Sequence, residues 1–491
     1  MNYTLAQYYN DSGIKLDMDF AKQVSMKFEP DPHQKTGLNR AIVETKFGLY
    51  DECDTGKTCV MQAFAMFYAK LGHPVVGVML PVLIPQFRES LYETFIGAEK
   101  HINVQMYNVS PKKREKMRQQ WKDEGLPDIL LLSYQMFAKE FRYLKEAGFK
   151  VYFADEADMM CNPETLANKA MKEVTADADT PCLPVTGTPN RKELLDCYGL
   201  ISLTNTAAYQ SKGHFERLHV EYFKDPNSKQ KVILEYNNKD LLHRNLYAKA
   251  RRVTKESIGR QEKPRVQIVP VELSPAHLSL YRKLLKERIL EVDGEIVDGV
   301  TAQALRTIAT RLVTTPENYI DSDKKIANHM VDAIDAIFMG ADVEEQNKII
   351  LFAHYQSTVE SLAKRYAHLN PSIMYGKNSS RHGKEKSKFI EDETSRILIA
   401  NTISAGVGVD GFQKICSKEI FVEPQATPRN FIQAVERVNR RGQTKTCNIS
   451  ILSAQKTLYP ARIDKMLERN AQIREVNKDK YSFLDELYGK S

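Results

Sequence analysis

Two short stretches hold side chains whose types and spacing suit phosphate chemistry. GLYDECDTGKT (48–58) ends in Lys57 and Thr58, after Thr55 and Gly56, and leads into the amphipathic run TCVMQAFAMFYAKL. A loop between a strand and a helix start offers unpaired N–H groups and a partial positive charge to an anion. Lys57 is placed to reach the β- and γ-phosphates of a nucleotide, and Thr58 to give its hydroxyl to Mg²⁺. KVYFADEAD (150–158) is an apolar run ending in two carboxylates. Asp155 suits a small hard cation that keeps oxygen ligands. Glu156 suits orienting and activating an attacking water, because a loose phosphoryl-transfer transition state needs positioning and charge neutralisation. The next apolar run ends in VTGTPN (185–190), where Thr186, Gly187 and Thr188 can couple the acidic pair to a neighbouring domain.

The phosphate loop departs from the strict GxxxxGK[ST] pattern: Asp51 stands at its first glycine. Asp54 is a second acid close to the expected triphosphate. Aspartate tolerates left-handed backbone angles better than most residues, but it adds negative charge there.

The elements that must position these groups follow from the apolar pattern. PVVGVML (74–80), DILLL (128–132), KVYFA (150–154) and CLPVT (182–186) are continuous apolar runs separated by amphipathic stretches. KIILFA (348–353), RILIA (396–400), KEIFV (418–422) and CNISIL (447–452) repeat the theme. Continuous apolar runs are buried parallel strands, and their alternation with helices means α/β sheets. A chain of 491 residues suits two such domains. The expected division is a nucleotide-binding domain over 1–204, a connector with accessory helices over 205–265, a second domain over 266–455 with a helical insertion at 274–340, and a charged helical tail over 456–491.

Composition excludes several classes. Hydrophobic residues are 42% and charged residues 27%, an ordinary globular balance, and the net charge of +7 is compatible with a polyanionic partner. No apolar run approaches the roughly 18 residues needed to span a bilayer. The N-terminus has neither a basic start nor a long apolar core, so no secretory leader is expected. Seven cysteines without a CxxC pair, and histidines without metal spacing, argue against disulfides and a structural metal and for an intracellular setting.

In this order the motifs resemble those of superfamily-two helicases, and within them the Swi/Snf-type translocases. PHQ (32–34) is similar to the upstream glutamine motif, which implies that Gln34 recognises adenine. DECDTGKT resembles DExGxGKT, with Asp54 in place of a glycine, and DEADMMCN (155–162) resembles DEAHRLKN, with Asp158 in place of histidine. LPVLIPQF (80–87) and LLSYQMF (131–137) look like segments that touch the nucleic-acid backbone, and RTIATRLVTTPENY with SDKK resembles LRQICNHP…SGK. NTISAGVGVD (401–410) resembles STKAGGVGLN, which puts Asp410 at the nucleotide, and QAVERVNRRGQ (433–443) is close to QAxxRxxRxGQ. The resemblance implies two RecA-like domains, ATP and Mg²⁺ as cofactors, and double-stranded or branched DNA as partner.

Arg437 and Arg440 are three residues apart and are expected on one helix face, with Gln433 coupling them to the rest. Across a cleft, such a pair can neutralise charge on a γ-phosphate, an effect of about 10³–10⁵ in rate. Sequence-independent DNA contacts are expected near Gln86, Arg88, Ser133, Tyr134, Ser404 and Ala405. The basic stretches PKKREKMR (111–118), KARRVTK (249–255) and GKNSSRHGKEK (376–386) are further candidates for grip. The expected protein is a monomeric DNA-dependent ATPase, a compact phage-like member acting in a bacterial cytoplasm if viral. Two alternatives stand beside it: an RNA helicase, suggested by the literal DEAD at 155–158, and a DNA-binding scaffold whose turnover is impaired by Asp54.

Overall fold

The computed structural model describes residues 3–15, 18–224, 231–260, 263–293, 295–339, 348–402, 411–425, 427–480 and 482–487. The chain forms two compact units: Met1–Arg260 with Ile473–Asp479, and Gln261–Gln472 with Lys480–Ser491.

The first unit is built on a seven-stranded parallel sheet. Its strands are β1 (Gly48–Leu49), β2 (Val75–Met79), β3 (Val104–Met106), β4 (Ile129–Ser133), β5 (Val151–Asp155), β6 (Cys182–Val185) and β7 (Ala250–Arg251), in the order β7-β1-β6-β5-β2-β4-β3. Apolar residues on both faces explain the continuous runs. Val75, Leu131 and Phe153 enter one core, and Val76, Leu130 and Tyr152 enter the other. The helices that bear on the site are α1 (Pro32–Val43), α2 (Lys57–Lys70), α3 (Leu83–Thr94) and α4 (Tyr134–Ala147).

The second unit has a six-stranded parallel sheet of β8 (Arg265–Val271), β9 (Lys348–Ala353), β10 (Ser372–Met374), β11 (Ile397–Asn401), β12 (Cys416–Phe421) and β13 (Asn448–Ala454), ordered β8-β13-β12-β9-β11-β10. It too is covered on both faces, by Ile349 and Leu351 in one core and Ile350 and Phe352 in the other. The last helices are α5 (Pro428–Val435) and α6 (Tyr459–Asn477). These are two α/β domains of RecA-like architecture, with accessory insertions.

The insertions differ from expectation. Residues 205–260 do not stand apart as a connector, because β7 pairs with β1 (Ala250 with Gly48, Arg251 with Leu49) and so extends the first sheet. That stretch also carries an antiparallel hairpin, Val220–Lys224 with Lys231–Tyr236, and the helical insertion of the second unit contains another, Ile289–Val292 with Glu295–Asp298. The tail is divided too: Ile473–Asp479 belongs to the first unit. No helix among the described residues is long and apolar enough to cross a membrane.

Candidate active site

The phosphate loop connects β1 to α2. Gly56 caps α2 with φ +80°, and Asp54 has φ +63°. The aspartate therefore adopts the backbone geometry expected where relatives of the motif carry glycine, at a cost of roughly 1–2 kcal/mol for a side chain in the left-handed region. The loop is closed on itself. Lys57 Nζ donates to the Glu52 carbonyl at 2.7 Å, and the Thr55 hydroxyl donates to the same oxygen at 2.8 Å. Thr58 is exposed in the first turn of α2.

Asp155 ends β5, and Glu156 follows with φ +53°, a strained position for a non-glycine residue. Burial pushes the Asp155 carboxyl up to about 7; Glu156 adds to the rise, while Lys57 opposes it. Lys57 and the acidic pair are thus near enough to interact within one unit. Two adjacent carboxylates are hard oxygen donors of the kind Mg²⁺ takes. The Tyr134 hydroxyl donates to the Asp155 carbonyl at 2.7 Å.

The Thr186 hydroxyl donates to Asp158 Oδ1 at 3.4 Å, and the Thr188 N–H donates to Thr186 Oγ1 at 3.1 Å. A Cβ at Gly187 would come within 2.8 Å of Cys53 Sγ, so this loop packs directly on the phosphate loop and needs the bare glycine. The three elements picked out first in the sequence are therefore brought together in the first unit.

Gln34 is buried on α1, and its groups are used locally. Its Oε1 accepts from the Asp31 N–H at 2.7 Å, and its Nε2 donates to the Gly56 carbonyl at 3.1 Å. His33 Nε2 meets the Thr55 carbonyl at 2.7 Å. The glutamine thus touches the phosphate loop itself.

Several expected nucleic-acid contacts are placed differently. Gln86 is exposed and Arg88 half-buried on α3, but Ser133 and Tyr134 are buried. Ser133 caps α4 by accepting from the Met136 N–H at 3.2 Å, so its side chain serves the helix start. Ser404, Ala405 and Asp410 lie outside the described residues.

The arginine pair does not share a helix face. Helix α5 ends at Val435, and Arg437 and Arg440 follow in successive turns. The Arg437 N–H bonds to the Ala434 carbonyl at 2.9 Å and the Val438 N–H to Val435 at 3.2 Å, a tighter spacing than the α-helical one. Gln443 Nε2 donates to the Val438 and Cys416 carbonyls at 3.2 and 2.9 Å and so fixes the turn. Gln433 is buried on α5. Glu419, buried on β12, has its carboxyl held well above the usual range by burial and by Glu436, with Arg437 opposing. Arg437 thus belongs to a buried acidic surrounding that the sequence did not announce.

Three arginines take partners that the sequence did not announce. Arg251 pairs with Asp51, Arg252 pairs with Asp479, and Arg260 Nη1 donates to the Asp54 carbonyl at 2.8 Å while its Nη2 meets Asp31 Oδ2 at 3.1 Å. The stretch offered as DNA grip at 249–255 instead uses its two arginines on the phosphate loop and its supports. The signal was Asp51 itself, because a buried acid at the root of a loop requires a cation.

The model of the SNF2-related domain matches residues 49–332, more than half of the chain. This chain belongs to the SNF2-related family. Membership places it among the superfamily-two ATP-dependent helicases and translocases. Chromodomain-helicase-DNA-binding protein 1-like from Danio rerio is 24% identical over 458 residues, covering 89% of this chain and 42% of that protein. An uncharacterized ATP-dependent helicase from Mycoplasma pneumoniae is 24% identical over 465 residues, covering 91% of this chain and 42% of that protein. The SNF2-related chain thus spans about two fifths of the length of these curated relatives. A solved structure, the Sulfolobus solfataricus SWI2/SNF2 ATPase core in complex with dsDNA, aligns over 92% of this chain and 94% of its own, with 20% identity and a TM-score of 0.41.

Proposed function

We propose that this SNF2-related chain is a DNA-dependent ATP hydrolase that converts turnover into movement along double-stranded or branched DNA. The observation that carries the reading is that Lys57, at the phosphate loop, lies close enough to Asp155 to oppose the rise of its carboxyl, while Gly187 of the Thr186–Thr188 loop packs on Cys53 of the phosphate loop. Lys57, with Thr55 and Gly56, binds the phosphates. Thr58 and Asp155 would hold Mg²⁺, which supplies charge neutralisation on the phosphates when bound. Glu156 orients the attacking water and takes its proton. Arg437 and Arg440 neutralise charge on the γ-phosphate. Gln34, tied to the phosphate loop through the Gly56 carbonyl, recognises adenine. Gln433, Thr186, Gly187 and Thr188 couple nucleotide state to the grip on DNA, with Gln86 and Arg88 as contacts. Nucleotide then biases the chain between two states of grip on DNA, and the difference in grip yields a step.

The test is steady-state ATP turnover at fixed salt with duplex DNA, single-stranded DNA, RNA, forks and four-way junctions. Stimulation by duplex or branched DNA above the other arms is expected; stimulation by RNA alone would replace this reading with an RNA helicase. A second reading is supported by Asp54, a carboxylate in the phosphate loop. It makes the chain a DNA-binding scaffold with little turnover, and activity in Asp54→Gly beside silence in the wild type would select it.

A further inference from the structure

Arg252 gathers three separate parts of the first unit onto one guanidinium. Its Nη1 donates to the Tyr50 carbonyl at 3.0 Å, at the root of the phosphate loop, and to the Gly187 carbonyl at 3.1 Å, in the loop that follows β6. Its Nε and Nη2 form a two-pronged pair with Asp479, at 2.6 and 2.8 Å. The side chains are 11% and 10% exposed, so the pair is largely removed from water. Planar two-pronged pairing of this kind fixes direction as well as distance.

Asp479 does not arrive alone. Val476 is buried in the core of the first unit, and its carbonyl meets His243 Nδ1 at 2.7 Å. The Tyr247 hydroxyl donates to Asn477 Oδ1 at 2.9 Å, and Lys239 pairs with Glu475 at 2.6 Å. Ile473–Asp479 is therefore a docked segment, separated by more than 200 residues from the rest of its unit. Its sole two-pronged ion pair among the described contacts falls on the residue that holds both nucleotide-facing loops.

We propose that Arg252 is a positioning residue, and that docking of residues 473–479 through Asp479 sets the register between the phosphate loop and the Thr186–Thr188 loop. The proposal rests on the ATP reading given above. With Asp479 in place, the guanidinium is held where its remaining N–H groups bridge the Tyr50 and Gly187 carbonyls. Without that carboxylate, the arginine is a buried cation held through Nη1 alone, and the common tie of the two loops loosens. The C-terminal segment thereby becomes a control point: whatever lifts it off lowers turnover without touching a phosphate-binding group.

The test uses the full chain and the variants Asp479→Asn, Asp479→Glu and Arg252→Lys. Amide hydrogen exchange is followed at 474–479, 50–54 and 186–188, together with kcat and KM for ATP at saturating duplex DNA. Asp479→Asn keeps the shape and removes the charge. It is expected to speed exchange at 186–188 as well as at 474–479, and to lower kcat by about tenfold with KM changed by less than about twofold. Asp479→Glu should recover most of the rate, and Arg252→Lys, a point charge without the planar fork, should not. Faster exchange confined to 474–479 with kcat unchanged would reduce the pair to a local anchor and overturn the proposal. A wild-type chain with no turnover would overturn the ATP reading alone, and exchange at 186–188 would still decide the latch.

Discussion

Arg251 lays its guanidinium on the carboxylate of Asp51, the residue standing at the first glycine of a strict phosphate-loop pattern, with side chains 9% and 2% exposed. The Val253 N–H adds a second bond to the same carboxylate at 2.9 Å. The acid that looked like a defect is the anchor by which β7 is fastened to the loop.

Removing one partner of that pair strands the other. Arg251→Ala is expected to destabilise the first unit by about 3–5 kcal/mol, the usual cost of an unpaired buried charge. Arg251→Ala with Asp51→Ala should recover part of that loss. Trp121, the single tryptophan, lies in the first unit, so denaturant unfolding followed by its fluorescence measures both changes. Equal stability of the single variant and the wild type would remove Asp51 from this role.

Asp54 is held at φ +63° and carries charge beside the proposed triphosphate. Asp54→Gly relieves roughly 1 kcal/mol of backbone strain. It should also lower KM for ATP several-fold, since one repulsive charge is gone. An unchanged or raised KM would show that the carboxylate does not face the nucleotide.

Lys57→Ala, Glu156→Gln and Arg440→Ala each remove a group assigned to the phosphates or the water. Each should lower ATP turnover by about 10²-fold or more. Affinity for duplex DNA, read by fluorescence anisotropy at fixed salt, should survive in all three. Full turnover in any one of them would withdraw that residue's assignment.

His277 is buried in the second unit, and its Nε2 meets the Leu312 carbonyl at 2.9 Å. Burial holds its pKa below the ordinary 6.5, so the folded protein prefers the neutral ring while the unfolded chain takes up the proton first. Stability from this residue is full above pH 6.5 and is lost as pH falls below it. Between pH 7.5 and 5.5 the calorimetric unfolding midpoint of the wild type should therefore fall more than that of His277→Gln. Parallel curves would show that the ring titrates normally.

The sequence by itself determined the two sheets and the order of their parts. Runs such as DILLL and KIILFA can be buried only between two helical layers, and both now lie in sheets covered on each face. The places of Lys57, the Asp155–Glu156 pair and the Thr186–Thr188 loop were legible because each sits at a strand end or helix start, where an apolar run gives way to polar residues. The antiparallel pairing of Val220–Lys224 with Lys231–Tyr236 was not legible, because its few alternating residues resemble the polar connector around them. Nor was the turn at Arg437 and Arg440, where burial of Val438 and the Gln443 side chain end a helix that spacing alone would continue.

Only the tertiary structure decided what the basic stretch at 249–255 does. Charge in a sequence has no direction; a buried acid two hundred positions away gives it one. Asp51 and Asp479 turn Arg251 and Arg252 inward, onto the phosphate loop and its support. An unpaired charge in that interior costs more than any surface contact those arginines would gain.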